Sequence, residues 1–237
     1  MNPYRVTITG ADDRVDPLDL IHLSCEFPFV EWALLHSTKR DGSERYPTEW
    51  WRNKFFRRCA ERSARVRTAL HVCGSVARQV SQGGLPILLE GQAMNLGAFD
   101  RVQINGFVPP PSRDLHRLAM RCEITFILQC RAEDTLQETA RAAEMLPGAS
   151  VLFDPSGGRG IESFRYPPTP LGCRLGFAGG IGPDNVLDVI RDIGPRDPYW
   201  IDMESGVRTD DKLDLAKVRR VLEQIATLTV APGKGEE

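Results

Sequence analysis

Three segments of this chain end an apolar run in an acid or a glycine pair, and each is a candidate to do chemistry. They are Leu152-Phe153-Asp154-Pro155-Ser156-Gly157-Gly158-Arg159-Gly160, Gly176-Phe177-Ala178-Gly179-Gly180-Ile181-Gly182-Pro183-Asp184 and Ile201-Asp202-Met203-Glu204-Ser205-Gly206-Val207. A carboxyl group at a strand end can exchange a proton with a bound ligand, and Asp154 holds such a place. The same aspartate can instead cap the turn that follows it. At Gly179-Gly180 and Ser205-Gly206, backbone N–H groups can come close to an anion. A helix starting near Pro183 and Asp184 would add the partial positive charge of its first turn. Together these suit a phosphate. Glu204 opposes that reading unless it points away or is paired, with Arg208 as the nearest cation in sequence.

Other side chains extend the inventory. Lys39, Arg40 and Arg45 form a basic loop, and a guanidinium fork receives carboxylates in bidentate fashion. Arg159 follows Asp154 in a glycine loop, and Cys73 ends a further apolar run. His36 and His71 lie near strand ends, where a satisfied polar role outweighs a catalytic one. No H-x-H or H-x-x-x-H spacing argues for a metal, and no cofactor is expected. Trp50-Trp51 falls in a helical segment and is expected to pack against the body of the protein.

These residues need elements to position them, and the apolar periodicity supplies those. Strands are predicted over Tyr4–Thr9, Val30–His36, Arg67–Cys73, Arg101–Ile104, Glu123–Gln129, Ser150–Asp154, Cys173–Ala178 and Tyr199–Asp202. Helices are predicted over Pro17–Glu26, Thr48–Arg65, Ser75–Gln82, Pro111–Met120, Ala132–Leu146, Asp184–Ile193 and Leu213–Thr227. A short extra helix is expected around Glu90–Leu96, and none in the sixth unit, where Pro167-Pro168-Thr169-Pro170 cannot sustain one. Strict alternation implies parallel strands joined by right-handed crossovers. The fold class is therefore α/β, a (β/α)8 TIM barrel in one domain over residues 1–230, with a polar tail at 231–237.

Composition agrees. The chain has 237 residues, 41% hydrophobic and 26% charged, with a net charge of −2. That balance offers no broad basic face for nucleic acid or an acidic membrane. The basic run from Arg52 to Arg67 is interleaved with apolar residues at helical spacing and reads as a solvated helix face. No apolar run reaches a membrane span, and the first residues lack the apolar core of a secretory signal. Six cysteines without a C-x-x-C pair suit reduced thiols in a cytoplasm. The expected partner is a small phosphorylated metabolite, on a monomer or a homodimer.

The three segments together resemble the last three strand–loop units of phosphoribosylanthranilate isomerase, a (β/α)8 barrel of tryptophan biosynthesis. The likeness continues toward the N-terminus. Thr7-Ile8-Thr9-Gly10-Ala11-Asp12 stands where that family has K-I-C-G-L-T, and Val102-Gln103-Ile104-Asn105-Gly106 where it has V-Q-L-H-G. Ser43-Glu44-Arg45-Tyr46 is similar to its S-P-R loop. The resemblance implies an Amadori rearrangement, an aldose-to-ketose isomerisation of a phosphoribosylamine. Under it, Asp154 is the general acid, Arg45 receives the ligand's carboxylate, and Asn105, Arg159, Asp202, Gly179, Gly180, Ser205 and Gly206 line the substrate site.

The family's base is the cysteine of its first strand, and here that position is Thr9. A threonine hydroxyl cannot replace a thiolate directly. Asp12 or Asp13 offers a substitute carboxylate, Glu31 does if its strand parity faces inward, and Cys73 offers a thiol; the remaining alternative is no base at all. The function expected is an isomerase acting on a small phosphorylated sugar derivative. A non-catalytic metabolite-binding relative is the rival, with a Schiff-base lyase using Lys39 a lesser one.

Overall fold

The structure is a computed structural model that describes residues 2–86, 93–157, 166–170, 172–196 and 198–229. Eight parallel strands close into a barrel in sequence order: β1 Arg5–Thr9, β2 Val30–His36, β3 Arg67–Val72, β4 Arg101–Ile104, β5 Thr125–Cys130, β6 Ser150–Phe153, β7 Leu175–Ala178 and β8 Trp200–Met203. Pairing of β8 with β1, Trp200 opposite Arg5 and Asp202 opposite Thr7, completes the closure. The expected (β/α)8 class is thus the one observed.

Helices α1 Pro17–Glu26, α2 Glu49–Glu61, α3 Gly74–Ser81, α4 Arg113–Cys122, α5 Leu136–Glu144, α6 Val186–Ile193 and α7 Leu215–Thr229 surround it. Their starts follow local chemistry. Asp16 caps α1 just before Pro17, and Thr48 and Ser112 accept from the Trp51 and Leu115 amides. The expected Ala132–Leu146 helix opens instead as a 3-10 turn at Glu133–Thr135, and the 3-10 turn Leu96–Ala98 precedes β4. The extra helix expected around Glu90–Leu96, the residues 158–165 of the sixth unit and the tail at 231–237 fall wholly or partly outside the described residues. A hairpin that the sequence did not suggest, β9 Arg208–Thr209 with β10 Lys212–Leu213, follows β8.

Strand parity sorts the side chains. Val6, Ile8, Trp32, Leu34, Leu70 and Phe177 face the helices in one large apolar core. The interior holds a smaller apolar cluster of Ile127, Leu152, Ala178 and Trp200. Below it lies a polar floor. Glu31, with no exposure, accepts from Arg5 Nη1 at 2.6 Å, Thr7 Oγ1 at 2.9 Å and Arg101 Nε at 3.0 Å, and also from Arg101 Nη2. Burial alone would favour the neutral acid, but Arg101 and then Arg5 hold Glu31 ionised below its ordinary pKa. The Arg101 guanidinium stacks over Trp200 at 4.7 Å.

Trp200 fits only because β7 presents no side chain beside it. A Cβ on Gly176 would stand 2.1 Å from Trp200 Cε2, a distance no packing tolerates. Gly176→Ala is therefore expected to destabilise the barrel by about 1–3 kcal/mol or more through forced displacement of the indole. Chemical denaturation of the two proteins checks this, and an unchanged midpoint would refute the close contact.

Candidate functional site

The C-terminal ends of the strands open into a cavity of about 370 Å³, lined among others by Arg40, Arg45, Tyr46, Cys73, Asn105, Arg131, Gly157, Glu204 and Asp211. A larger cavity, about 580 Å³, lies apart from it between Arg14, Asp16, Lys212 and Asp214, and no residue expected in the site lines it. Barrel chemistry is a property of the strand-end face, so the smaller cavity is the candidate site.

Asp154 stands at the end of β6, 4% exposed. Both its oxygens are held: Gln129 Nε2 donates at 2.8 Å and Ser156 Oγ at 2.7 Å. Its backbone oxygen accepts from Gly157, which begins the loop toward the mouth. The turn-forming role expected of this residue is thus present in the bond from Gly157. Arg159 lies outside the described residues.

Thr9 faces inward at the end of β1, and its hydroxyl donates to Asp202 Oδ1 at 2.7 Å. Asp202 is buried at the end of β8. Loss of solvent pushes its pKa up to about 8, opposed by the Thr9 bond and reinforced by the charges of Glu204, Asp154 and Glu31. Asp202 is thus neutral at pH 7, and the position of the missing cysteine serves to hold it.

The substitute bases divide. Asp12 is 2% exposed and accepts from Arg14 Nη2 at 2.7 Å, from the Arg45 amide at 2.9 Å and from Arg208 Nη2 at 3.4 Å. Burial opposes its charge, but the Arg14 side chain and the Arg45 and Arg14 amides hold it below the ordinary carboxylate value. Asp13 accepts from the Thr48 amide at 2.8 Å and from its hydroxyl at 2.5 Å, docking the β1 loop onto the start of α2. Neither aspartate lines the cavity. Glu31 does face inward, but it is neutralised in the floor. Cys73 lines the mouth, where its sulfur accepts from Asn105 Nδ2 at 3.1 Å. Burial pushes the thiol up despite hydrogen bonds from Tyr46 and Asn105, so little thiolate exists near neutrality. Asn105 is fixed in turn by Gln103 Nε2 at 2.7 Å.

Arg45 enters from the loop after β2 with φ of 73°, a left-handed conformation that its amide bond to Asp12 maintains. Its fork is shared: Nη1 donates to Glu204 Oε1 at 2.8 Å, while Nε and Nη2 donate to Asp211 Oδ1 at 2.7 and 2.5 Å. Asp211 belongs to the hairpin turn, which sequence patterning did not single out. Arg208 points away from the mouth to Gly10 O at 2.7 Å and Asp211 O at 2.6 Å, so it supports the loops. Arg40 stacks on Tyr46 at 4.8 Å, and Arg131 packs beside Gly157. Lys39 is exposed, which leaves it too solvated for Schiff-base chemistry.

On the other side, the two glycine loops meet. A Cβ on Gly206 would lie 2.0 Å from Ile181 O, so the β7 and β8 loops pack backbone to backbone. Gly179 and Gly180 adopt φ of 119° and 60°. Asn185 shapes this turn, accepting from the Gly182 amide at 2.8 Å and donating to Gly180 O at 3.0 Å. It stands as the N-cap of α6, which begins two residues later than Asp184. His71 is buried in the interior with its pKa lowered to about 3, and is neutral. Trp51 packs as expected, stacked on Phe55 at 5.6 Å, but Trp50 is 65% exposed on the outer helix face.

The Asp202 environment gives a signed expectation. An acid raised from 3.8 to about 8 on folding binds more protons folded than unfolded across that window. Its contribution to stability is complete below the unfolded value and is lost as pH climbs through about 8. Asp202→Asn keeps an acceptor for Thr9 and should flatten the fall in stability between pH 4 and 8. Melting curves across that range check it, and parallel profiles for the two proteins would refute a neutral Asp202.

Comparison with known proteins places this geometry. The sequence pattern of the N-(5'-phosphoribosyl)anthranilate (PRA) isomerase family matches residues 91–224. An N-(5'-phosphoribosyl)anthranilate isomerase of Streptococcus gordonii is 26% identical over 155 residues, 64% of this chain and 72% of that protein. That of Desulfitobacterium hafniense is 34% identical over 96 residues, 33% of this chain and only 39% of the relative's own length. Among solved structures, the isomerase from Pyrococcus furiosus aligns over 94% of this chain and 98% of its own, with a TM-score of 0.58 and 15% identity. The 3-hexulose-6-phosphate synthase of Salmonella typhimurium aligns over 94% and 99%, at 0.54 and 11%. Those two likenesses speak for the fold alone. The match over residues 91–224, more than half of the 237-residue chain, carries the assignment: the chain belongs to the N-(5'-phosphoribosyl)anthranilate isomerase family.

Proposed function

We propose that this protein is an aldose–ketose isomerase acting on a phosphorylated aminosugar of the N-(5'-phosphoribosyl)anthranilate type. The observation that carries the reading is convergence. Arg45 from the β2 loop and Gly157, hydrogen-bonded to the Asp154 carbonyl at the end of β6, line one mouth, and the paired glycine loops of β7 and β8 border the same strand-end face. In this reading the loops at Gly179-Gly180 and Ser205-Gly206 take the phosphate, with the start of α6 behind them. Arg45 receives the ligand's carboxylate, while Asn105 and the neutral Asp202 contact the sugar. Asp154 gives a proton to the ring oxygen, which opens the ring to an iminium at C1.

A second reading, a binding protein without turnover, draws support from Thr9, whose hydroxyl is engaged by Asp202 where the family has its base. The two readings part in a direct assay. Purified protein is given N-(5'-phosphoribosyl)anthranilate and the ketose product is followed chromatographically. Conversion is expected, and binding without conversion would establish the second reading. Asp154→Asn should lower kcat by about 10²-fold or more, with ligand affinity nearly unchanged and melting temperature equal or raised. Retained turnover with a large loss of melting temperature would make Asp154 a turn residue only.

Single-copy expression in a tryptophan auxotroph lacking the isomerase measures efficiency. Were the missing thiolate left without a replacement, growth would be poor, because a positioned base is worth roughly 10²–10⁴ in rate. Robust growth would mean that another side chain in this chain has taken over the base role.

A further inference from the structure

We infer that Glu204, at the end of β8, is the base that removes the proton from sugar C2, in place of the cysteine replaced by Thr9. This rests on the isomerase reading above and names a residue for the step that reading leaves open. The sequence points elsewhere, since there Glu204 is only an acid that opposes a phosphate.

Position is the first argument. Strands β8 and β1 are hydrogen-bonded neighbours, with Met203 opposite Ile8, so Glu204 stands beside Thr9 across the closure seam. Glu204 also lines the mouth, unlike Asp12 and Asp13.

Elimination is the second. Asp202 is neutral at pH 7 and is tied to Thr9, so it is no proton acceptor there. Glu31 is neutralised by Arg5 and Arg101, and the buried Cys73 thiol resists ionisation. Glu204 differs from all of these: it is partly buried, and its hydrogen bond to Arg45 opposes the effect of burial on the carboxyl. Burial nonetheless raises its pKa above the ordinary glutamate value, which strengthens it as a base.

The third argument is coupling. Arg45 holds Glu204 Oε1 with Nη1 alone, while Nε and Nη2 lie on Asp211. A ligand carboxylate arriving at the Arg45 fork competes with both acids. Displaced from the guanidinium, Glu204 keeps its place in the mouth, loses a hydrogen bond and becomes more basic. Binding of the correct ligand would then arm the base.

The step balances without a redox partner. After ring opening, a Glu204 carboxylate oxygen takes the C2 hydrogen as a proton. The C2–H electron pair becomes the C1=C2 bond, and the C1=N π pair returns to nitrogen as a lone pair. The C2 hydroxyl proton of the enol returns to Asp154, which gave one to the ring oxygen, while protonated Glu204 delivers its proton to C1; one hydrogen has then moved from C2 to C1 and one from the C2 hydroxyl to the former ring oxygen.

The test compares wild type, Glu204→Gln and Glu204→Ala with substrate carrying deuterium or hydrogen at C2. Wild-type turnover comes first: its absence would fail the isomerase reading itself, and this inference with it. Given an active wild type, Glu204→Gln should lose about 10²–10⁴-fold in kcat with a primary isotope effect that grows. Binding of a product analogue reduced at C2 should change less than fivefold, showing an intact site. In Glu204→Ala, added formate and acetate should restore turnover, acetate more than formate at equal carboxylate concentration, as proton abstraction requires. A role confined to orienting Arg45 predicts no dependence on the added base's strength. Activity in Glu204→Gln within threefold of wild type, or rescue indifferent to base strength, would overturn the assignment. If Glu204→Gln fails to fold, the Glu204→Ala rescue series decides alone.

Discussion

The barrel closes around a buried carboxylate that three strands must neutralise together. Glu31 comes from β2, Arg5 from β1 and Arg101 from β4, and all are at or near zero exposure except the Arg5 rim. An unpaired buried charge costs several kcal/mol, and removing one partner of such a cluster typically costs about 3–5 kcal/mol. The parity of those strands is therefore fixed from below. Once Glu31 faces inward, Ala33 and Leu35 follow on the same face, as do Thr7 and Thr9 in β1. The inward aim of Thr9 toward Asp202 follows from that parity.

At the opposite end the constraint is an excess of acids. Asp154, Asp202 and Glu204 act on one another, and loss of solvent raises Asp202 and Glu204 alike. The molecule meets this in two ways. It leaves Asp202 neutral and hydrogen-bonded, and it brings Arg45 in from the β2 loop to meet Glu204. Arg45 in turn depends on Asp12, whose carboxylate takes its backbone N–H and those of Arg14 at once. A residue that reads as a catalytic candidate thus does its work by holding two loops in register, while Asp211 on the β8 hairpin completes the pairing.

The elements themselves follow closely from local chemistry. Val30–His36, Arg101–Ile104 and Pro17–Glu26 have the bounds that apolar runs and an Asp16-Pro17 start predict. The start of α5 does not, because Ala132 to Thr135 satisfy their backbone in a 3-10 turn that apolar spacing cannot distinguish from a helix. The β9–β10 hairpin was invisible for a related reason. Two-residue strands carry no periodicity, and its turn uses Asp210 and Asp211 at positive φ rather than a glycine.

The sequence by itself determined the (β/α)8 class and the resemblance to its family, and it supplied Asp154, the glycine loops and Thr9 at the family's cysteine position as candidates. Each is written in residue type, spacing or motif, and none needs knowledge of distant neighbours. Only the tertiary structure decided the fate of the charges. Asp12 and Arg45 are 33 residues apart and Arg45 and Asp211 are 166 apart, yet these contacts fix which acid is a clamp and which remains in the mouth. Ionisation depends on burial and on partners brought together by closure, and neither quantity exists until β8 has met β1.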